Sequence, residues 1–253
     1  MRNNKVKEKL KNGERAYIAS GNSHASDIDS FGNAAVEAGI DGIWLEGEHG
    51  LVGPNNIGDL TRACDLWGMT SIVRVYQNEP ATIYRTLDLG ALGICVPHIN
   101  SKLEAKNVVN ATKFAPIGMR GSFTSRQGIG VENYLSKANN QTMSIILIED
   151  IVAVNNIEEI LEVDNIDVFY VAPGDLAQSM GFLGGAGSDE VNKVVDTTIK
   201  KIVEAGKTAG TLGTYQNMNH YVNTGVRFFS FSWLPWLSDG ASKILETIHS
   251  TDA

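Results

Sequence analysis

The chain has 253 residues, 43% of them hydrophobic and 20% charged, with a formal net charge of −8 at pH 7. That length and apolar content suit one large α/β domain over residues 1–253, and they exclude a disordered tail or a disulfide-stapled mini-protein. The negative balance provides no general attraction to phosphate backbones or anionic lipid, so neither nucleic acid nor membrane is expected as a partner, and an acidic substrate would need a local cation.

The N-terminal stretch through Arg15 is charged and amphipathic, without an apolar core of signal-peptide length, and no later apolar run approaches a membrane span; a soluble cytoplasmic protein is expected. Short β-branched or apolar runs then recur at residues 16–20, 42–46, 70–75, 93–97, 144–149, 168–173, 208–213 and 227–232, which makes eight strand candidates. Between them, Ser101 and Glu104 form a capping box for a helix running to about Lys113. Ser188 caps another, whose apolar face is Val191, Val194, Val195, Ile199, Ile202 and Val203 and whose stop is Gly206. Parallel strands need helical crossovers, and their sheet must be covered on both faces. Eight strands alternating with helices in this length therefore predict a (β/α)₈ TIM barrel, with a doubly wound open sheet as the alternative. Residues 116–141 carry Gly-Met-Arg-Gly and Thr-Ser-Arg-Gln-Gly without clear periodicity and read as a long functional or interfacial connection. Cys64 and Cys95 fall in no metal or redox spacing and read as buried thiols.

A barrel of this kind carries its chemistry on the loops after the carboxyl ends of its strands. The polar residues there are Glu46-Gly47-Glu48-His49-Gly50, Arg74, Glu149 with Asp150, and Gly174 with Asp175. Glu149 and Asp175 could give two carboxylates to a hard divalent cation, or could cap the helices that follow. Arg74, inside an apolar run, needs a partner: a substrate carboxylate, Glu46 or Glu149. His49 is the best general-base candidate because an imidazole titrates near neutrality. His98 stands at the same level, His24 near the rim, and His220 and His249 in helical stretches read as surface or packing residues. No strand candidate contains a lysine, which disfavours imine chemistry. No Gly-x-Ser-x-Gly elbow or Walker loop is present, residues 181–187 read as a flexible loop, and phosphate binding at 210–215 has little support.

Together these segments resemble the metal-dependent (class II) HpcH/HpaI aldolases, which include the 4-hydroxy-2-oxoheptanedioate and 2-keto-3-deoxy sugar acid aldolases. The likeness runs through Lys9-Leu10-Lys11-Asn12-Gly13, Ala38-Gly39-Ile40-Asp41, Val73-Arg74, Leu87-Asp88-Leu89-Gly90-Ala91 and Pro116-Ile117-Gly118-Met119-Arg120-Gly121. It continues in Ile148-Glu149, Ala172-Pro173-Gly174-Asp175-Leu176 and Ala205-Gly206-Lys207-Thr208-Ala209-Gly210. The resemblance implies a phosphoenolpyruvate/pyruvate-type barrel in which Glu149 and Asp175 hold Mg²⁺, Mn²⁺, Co²⁺ or Zn²⁺. It further implies that Arg74 and the backbone near Gly174 and Asp175 grip pyruvate, and that His49, oriented by Asp88, handles the proton through a metal-bound water. The activity implied is cleavage of a 4-hydroxy-2-oxo acid to pyruvate and an aldehyde through a metal-stabilised enolate. The partners implied are those small molecules and further copies of the chain, in a homotrimer or homohexamer that exchanges the last helix, residues 234–249.

Three positions depart from the family pattern. Glu46 replaces the aspartate of Asp-x-Glu-His, Leu147 replaces a glutamine two residues before the metal glutamate, and Ser230-Phe231-Ser232-Trp233-Leu234 stands where Gly-x-Asp is common. Oxaloacetate-type decarboxylation at the same site, or a catalytically weak oxo-acid-binding oligomer, are the alternative readings.

Overall fold

The computed structural model describes residues 1–21 and 24–251. Asn22 and Ser23, in the loop expected after the first strand, and Asp252 and Ala253, at the end of the expected 1–253 domain, lie outside the described residues. Eight parallel strands close into a barrel in chain order: β1 (Ala16–Ser20), β2 (Gly42–Glu46), β3 (Thr70–Arg74), β4 (Gly93–Val96), β5 (Met143–Ile148), β6 (Val168–Val171), β7 (Ala209–Leu212) and β8 (Phe228–Ser232). Closure runs through β1 and β8, from Ala16 opposite Phe228 to Ser20 opposite Ser232, so no edge is left to pair elsewhere. The expected barrel is observed and the open sheet is not. β6 stops short of its expected end because Pro173, which has no N–H for a ladder, opens the next helix instead.

Strand side chains alternate, and the alternation builds two cores. Ile18, Trp44, Ile72, Cys95, Ile145, Leu147, Tyr170 and Phe228 fill the barrel. Ile43, Leu45, Val73, Ile94, Ile146, Ile148, Phe169 and Val171 face outward, against Leu60 of α3 (Ile57–Leu66), Ile83 of α4 (Pro80–Asp88), Val108 of α5 (Lys102–Thr112) and Ile199 of α10 (Asp189–Glu204). The caps read from sequence are formed: Ser101 accepts from the Glu104 amide and Ser188 from that of Val191.

The amino end of the barrel is plugged by α1 (Lys5–Lys11), whose Val6 and Leu10 join the interior cluster. Lys5 and Lys9 reach buried Asp41 at 3.0 and 2.8 Å and pin that helix in place. With this end closed, the carboxyl end is the open mouth. The 116–141 segment is not a bare connection, because it includes a 3₁₀ turn (Arg126–Gly128) and a helix, α6 (Tyr134–Gln141). Its mostly polar sequence hides the helix, which rests on Tyr134 and Ala138 packed against Phe114. Arg126 ties the segment to Asp65 at 2.7 Å, near the carboxyl terminus of α3, and Gln127 donates to the Gly90 carbonyl at 3.0 Å, so it lies at the amino end of the barrel.

The remaining elements are α2 (Ala25–Glu37), α7 (Ile151–Asn155), α8 (Ile157–Leu161), α9 (Pro173–Ser179), α11 (Met218–Asn223) and α12 (Leu234–Thr251). The last of these exposes Leu234, Leu237, Ile244 and Leu245, while Trp236 stacks on Phe31 of α2 at 6.1 Å. Among the described residues no helix is long and apolar enough to cross a membrane.

Candidate active site

The inward-facing positions of the strands continue beyond the apolar layers to Glu46, Arg74 and Glu149 at the mouth. Glu46 and Arg74 are direct register partners. Arg74 Nη1 lies 3.6 Å from Glu46 Oε2; its Nη2 lies 3.2 Å from Glu149 Oε2, 3.9 Å from Asp175 Oδ2, and pairs with Glu48. Only 8% of Arg74 is exposed. Burial disfavours its charge, but Glu149, Glu46 and Glu48 outweigh that penalty and raise the guanidinium pKa.

Glu149 is fully buried. Its Oε1 accepts the His98 amide at 2.8 Å. Burial pushes its carboxyl up to about 7 even though Arg74 and the His98 amide favour the anion. His98 reaches this position through a left-handed backbone, φ 53°, a conformation that costs a non-glycine residue about 1–3 kcal/mol. The ring anchors that turn: Nδ1 lies 2.9 Å from Asp150 Oδ2, which also accepts from Asn100 Nδ2 at 3.0 Å. Burial works against a charged His98 ring, while Asp150, Glu149 and Glu48 overcome it and raise its pKa.

The turn after β2 is built by Glu46. Its Oε1 accepts the amides of Glu48 at 2.8 Å and His49 at 3.1 Å, and its Oε2 receives Trp44 Nε1 at 3.2 Å. Gly47 is required there, since a Cβ would stand 2.5 Å from the Arg74 carbonyl oxygen. The turn leaves the His49 ring in solvent, with Nε2 3.6 Å from Glu48 Oε2. Asp175, half exposed, sits in the first turn of α9, and a Cβ on Gly174 would meet nothing within 4 Å, so the mouth is open against that backbone. A cavity of about 390 Å³ at the mouth is lined by Trp44, Arg74, Leu147, Tyr170, Gly174 and Asp175, among others.

Among the described residues no group of three or more His, Cys, Asp or Glu side chains is arranged to hold a metal by itself. A divalent cation nevertheless fits the chemistry of the mouth. Glu149 and Asp175 each present a hard oxygen within 4 Å of the same Arg74 nitrogen, and four carboxylates share one guanidinium, which leaves negative charge to offset.

Arg74, Glu149, Asp175 and Gly174 thus converge as expected, with His49 beside them. Asp88 does not join them within this chain. It ends α4, which descends from the mouth to the amino end of the barrel, and it pairs there with Arg120 at 2.7 Å. His24 precedes α2 and is exposed, and His220 pairs with Asp196 at 2.8 Å on the surface. Glu48 and Asp150 carry no functional signal in the sequence, because strand periodicity says nothing about where a side chain points once the chain has left the strand.

A family model described as HpcH/HpaI aldolase/citrate lyase matches residues 25–231. The chain belongs to the HpcH/HpaI aldolase/citrate lyase family. It is 32% identical over 226 residues to a 2-keto-3-deoxy-L-rhamnonate aldolase from Escherichia coli, across 85% of this chain and 81% of that one. It is an aldolase enzyme of the family, a carbon–carbon lyase. The crystal structure of an HpcH/HpaI aldolase/citrate lyase family protein from Burkholderia cenocepacia matches it with a TM-score of 0.87 at 27% identity, over 97% of this chain and 99% of that one. The citrate lyase beta subunit from M. tuberculosis, solved in complex with oxaloacetate and magnesium, shares the fold at a TM-score of 0.55 and 14% identity, over 87% and 92% of the two chains.

Proposed function

We propose that this HpcH/HpaI family member is a metal-dependent (class II) aldolase that splits a 4-hydroxy-2-oxo acid into pyruvate and an aldehyde, and joins them in reverse. The observation that carries this is Arg74, buried at the barrel mouth with Glu149 and Asp175 both within 4 Å of its Nη2. Its guanidinium receives the oxo-acid carboxylate, and the open backbone at Gly174 and Asp175 gives the acid room. Glu149 and Asp175 would hold the cation, and their oxygen donors suit Mg²⁺ or Mn²⁺ before Co²⁺ or Zn²⁺. When bound, the cation supplies Lewis acidity at the 2-oxo oxygen. His49 takes the proton of the 4-hydroxyl as the bond between C3 and C4 breaks and its electron pair moves toward C3, and delivers that proton to C3 to complete the methyl group of pyruvate; in condensation it removes a methyl proton and returns it to the new hydroxyl. Glu46, which clamps the amides of Glu48 and His49, keeps that base in place.

Asp88 can serve His49 only from a second copy, since within one chain it lies at the opposite end of the barrel. The assembly proposed is a homotrimer or homohexamer in which α12 crosses to a neighbour. That helix exposes Leu234, Leu237, Ile244 and Leu245, and an apolar groove among Tyr17, Phe31, Ala35, Ile40 and Phe231 lies beside it. Both cysteines are free and buried, which suits the reducing cytoplasm.

The test is deuterium incorporation into the methyl group of pyruvate in heavy water, using EDTA-stripped protein before and after each divalent cation is added. Cation-dependent exchange that disappears in His49→Ala is expected. No exchange with any cation would overturn the proposal.

A further inference from the structure

Leu147 makes part of the inner wall of the mouth cavity apolar, yet a hydroxyl pair stands next to it. Leu147 and Tyr170 are register partners on β5 and β6, and both line the cavity together with Ser230 of β8. Tyr170 leans across β7 to place its hydroxyl 2.6 Å from Ser230 Oγ. The sheet accommodates this reach: the β7 residue opposite Tyr170 is Gly210, where a Cβ would come within 3.0 Å of the tyrosine ring. Trp44 at 5.3 Å and the edge-on ring of Phe228 at 6.1 Å hold the tyrosine in that orientation.

Two hydroxyls carry two protons, and their mutual hydrogen bond uses one. Among the described residues neither side chain has another hydrogen-bond partner, so one O–H is left over at the cavity wall. The other neutral side-chain donors lining that wall are committed, Trp44 Nε1 to Glu46 and Ser20 Oγ to the Phe231 carbonyl at 3.0 Å. Burial pushes the Tyr170 phenol well above its ordinary range, which keeps the donor neutral.

We infer that the Tyr170–Ser230 pair is a positioning element for the oxo acid, donating its spare O–H to an oxygen of the acid held by Arg74 and supplying the hydrogen bond that Leu147 cannot. This rests on the oxo-acid reading of the site. An unmet hydrogen bond in a desolvated pocket weakens binding, while the proton-transfer group at His49 is untouched.

The experiment measures KM and kcat for pyruvate in the cation-dependent methyl exchange for Tyr170→Phe, Ser230→Ala and Tyr170→Phe combined with Leu147→Gln, with a thermal melt of each. Tyr170→Phe is expected to raise KM about tenfold and to change kcat by less than about threefold. Ser230→Ala, which leaves the phenol able to donate but no longer held in place by its partner, is expected to raise it about threefold. Leu147→Gln, by placing an amide donor on the wall beside the lost hydroxyl, should recover most of the loss in the Tyr170→Phe background, which repair of a merely structural defect would not do. A KM unchanged in Tyr170→Phe and Ser230→Ala, or a loss in Tyr170→Phe that Leu147→Gln does not recover, overturns the inference while leaving the aldolase reading intact. Should Tyr170→Phe fail to fold, a Ser230→Ala KM indistinguishable from the parent's overturns it. Absence of exchange in the unaltered protein overturns both.

Discussion

Glu149 Oε2 lies 3.2 Å from Arg74 Nη2, with the acid fully buried and the guanidinium only 8% exposed. Neither charge is tolerable there alone. Removing one member of a buried pair typically costs roughly 3–5 kcal/mol, because the survivor is left unpaired. Arg74→Ala should therefore lower the melting temperature and weaken pyruvate binding together. Glu149→Gln keeps the side chain's shape and an oxygen for the His98 amide, so it should cost less stability while abolishing cation-dependent exchange. Thermal melts with and without Mn²⁺ separate the two: the ion should stabilise the parent and leave Glu149→Gln unmoved.

Glu149 also sets a pH dependence. Its folded-state carboxyl titrates at about 7, above the ordinary value of 4.5, so across that interval the native state holds a proton that the unfolded chain has released. Its contribution to stability is complete below the lower value and is lost as pH rises through the upper one. The metal-free protein should thus lose stability over this window relative to Glu149→Gln. A divalent cation competes with the same proton, so cation affinity should rise with pH and binding below about pH 7 should release protons. Calorimetry in two buffers of different ionisation heat measures that release, and a heat independent of buffer at pH 6 would contradict it.

Asp88 and His49 make a separable prediction. If Asp88 acts from a second copy, Asp88→Asn and His49→Ala should each depress exchange alone. Mixed oligomers of the two variants should then regain activity, approaching about a quarter of the parent's in a symmetric assembly that pairs each histidine with a neighbour's aspartate. Co-expression with distinguishable tags tests this. Mixtures no more active than the separate variants would restrict Asp88 to its pairing with Arg120.

The exposed face of α12 should decide assembly. Leu237→Glu and Ile244→Glu place charges on an apolar surface, and light scattering after size exclusion should show smaller species with the barrel still folded. An unchanged mass would exclude that face from the interface.

The strands were readable because each is a short local signal. β1 and β2 fall within the bounds that alternation predicts, and the other six differ by a residue or two at one end or both. Arg74 was conspicuous as a lone cation in an apolar run, and Glu149 as the acid ending another. The helix at Tyr134–Gln141 was not readable, because two buried side chains in a polar stretch make no period. Asp88 has its expected role through resemblance alone, which carries a residue's role but not the subunit that supplies it.

By itself the sequence determined the succession of strands and crossovers, and therefore that Glu46, Arg74, Glu149 and Asp175 would gather at one rim. Periodicity and chain direction are local properties, and a parallel sheet leaves few ways to connect them. Only the tertiary structure decided which carboxylate meets which nitrogen of Arg74, that the His98 backbone turns left-handed to reach Glu149, that Asp88 lies at the far end of the barrel, and that Tyr170 crosses β7 to Ser230. These relations depend on the register of the closed barrel and on loops held by distant residues, and each joins positions whose proximity no local preference encodes.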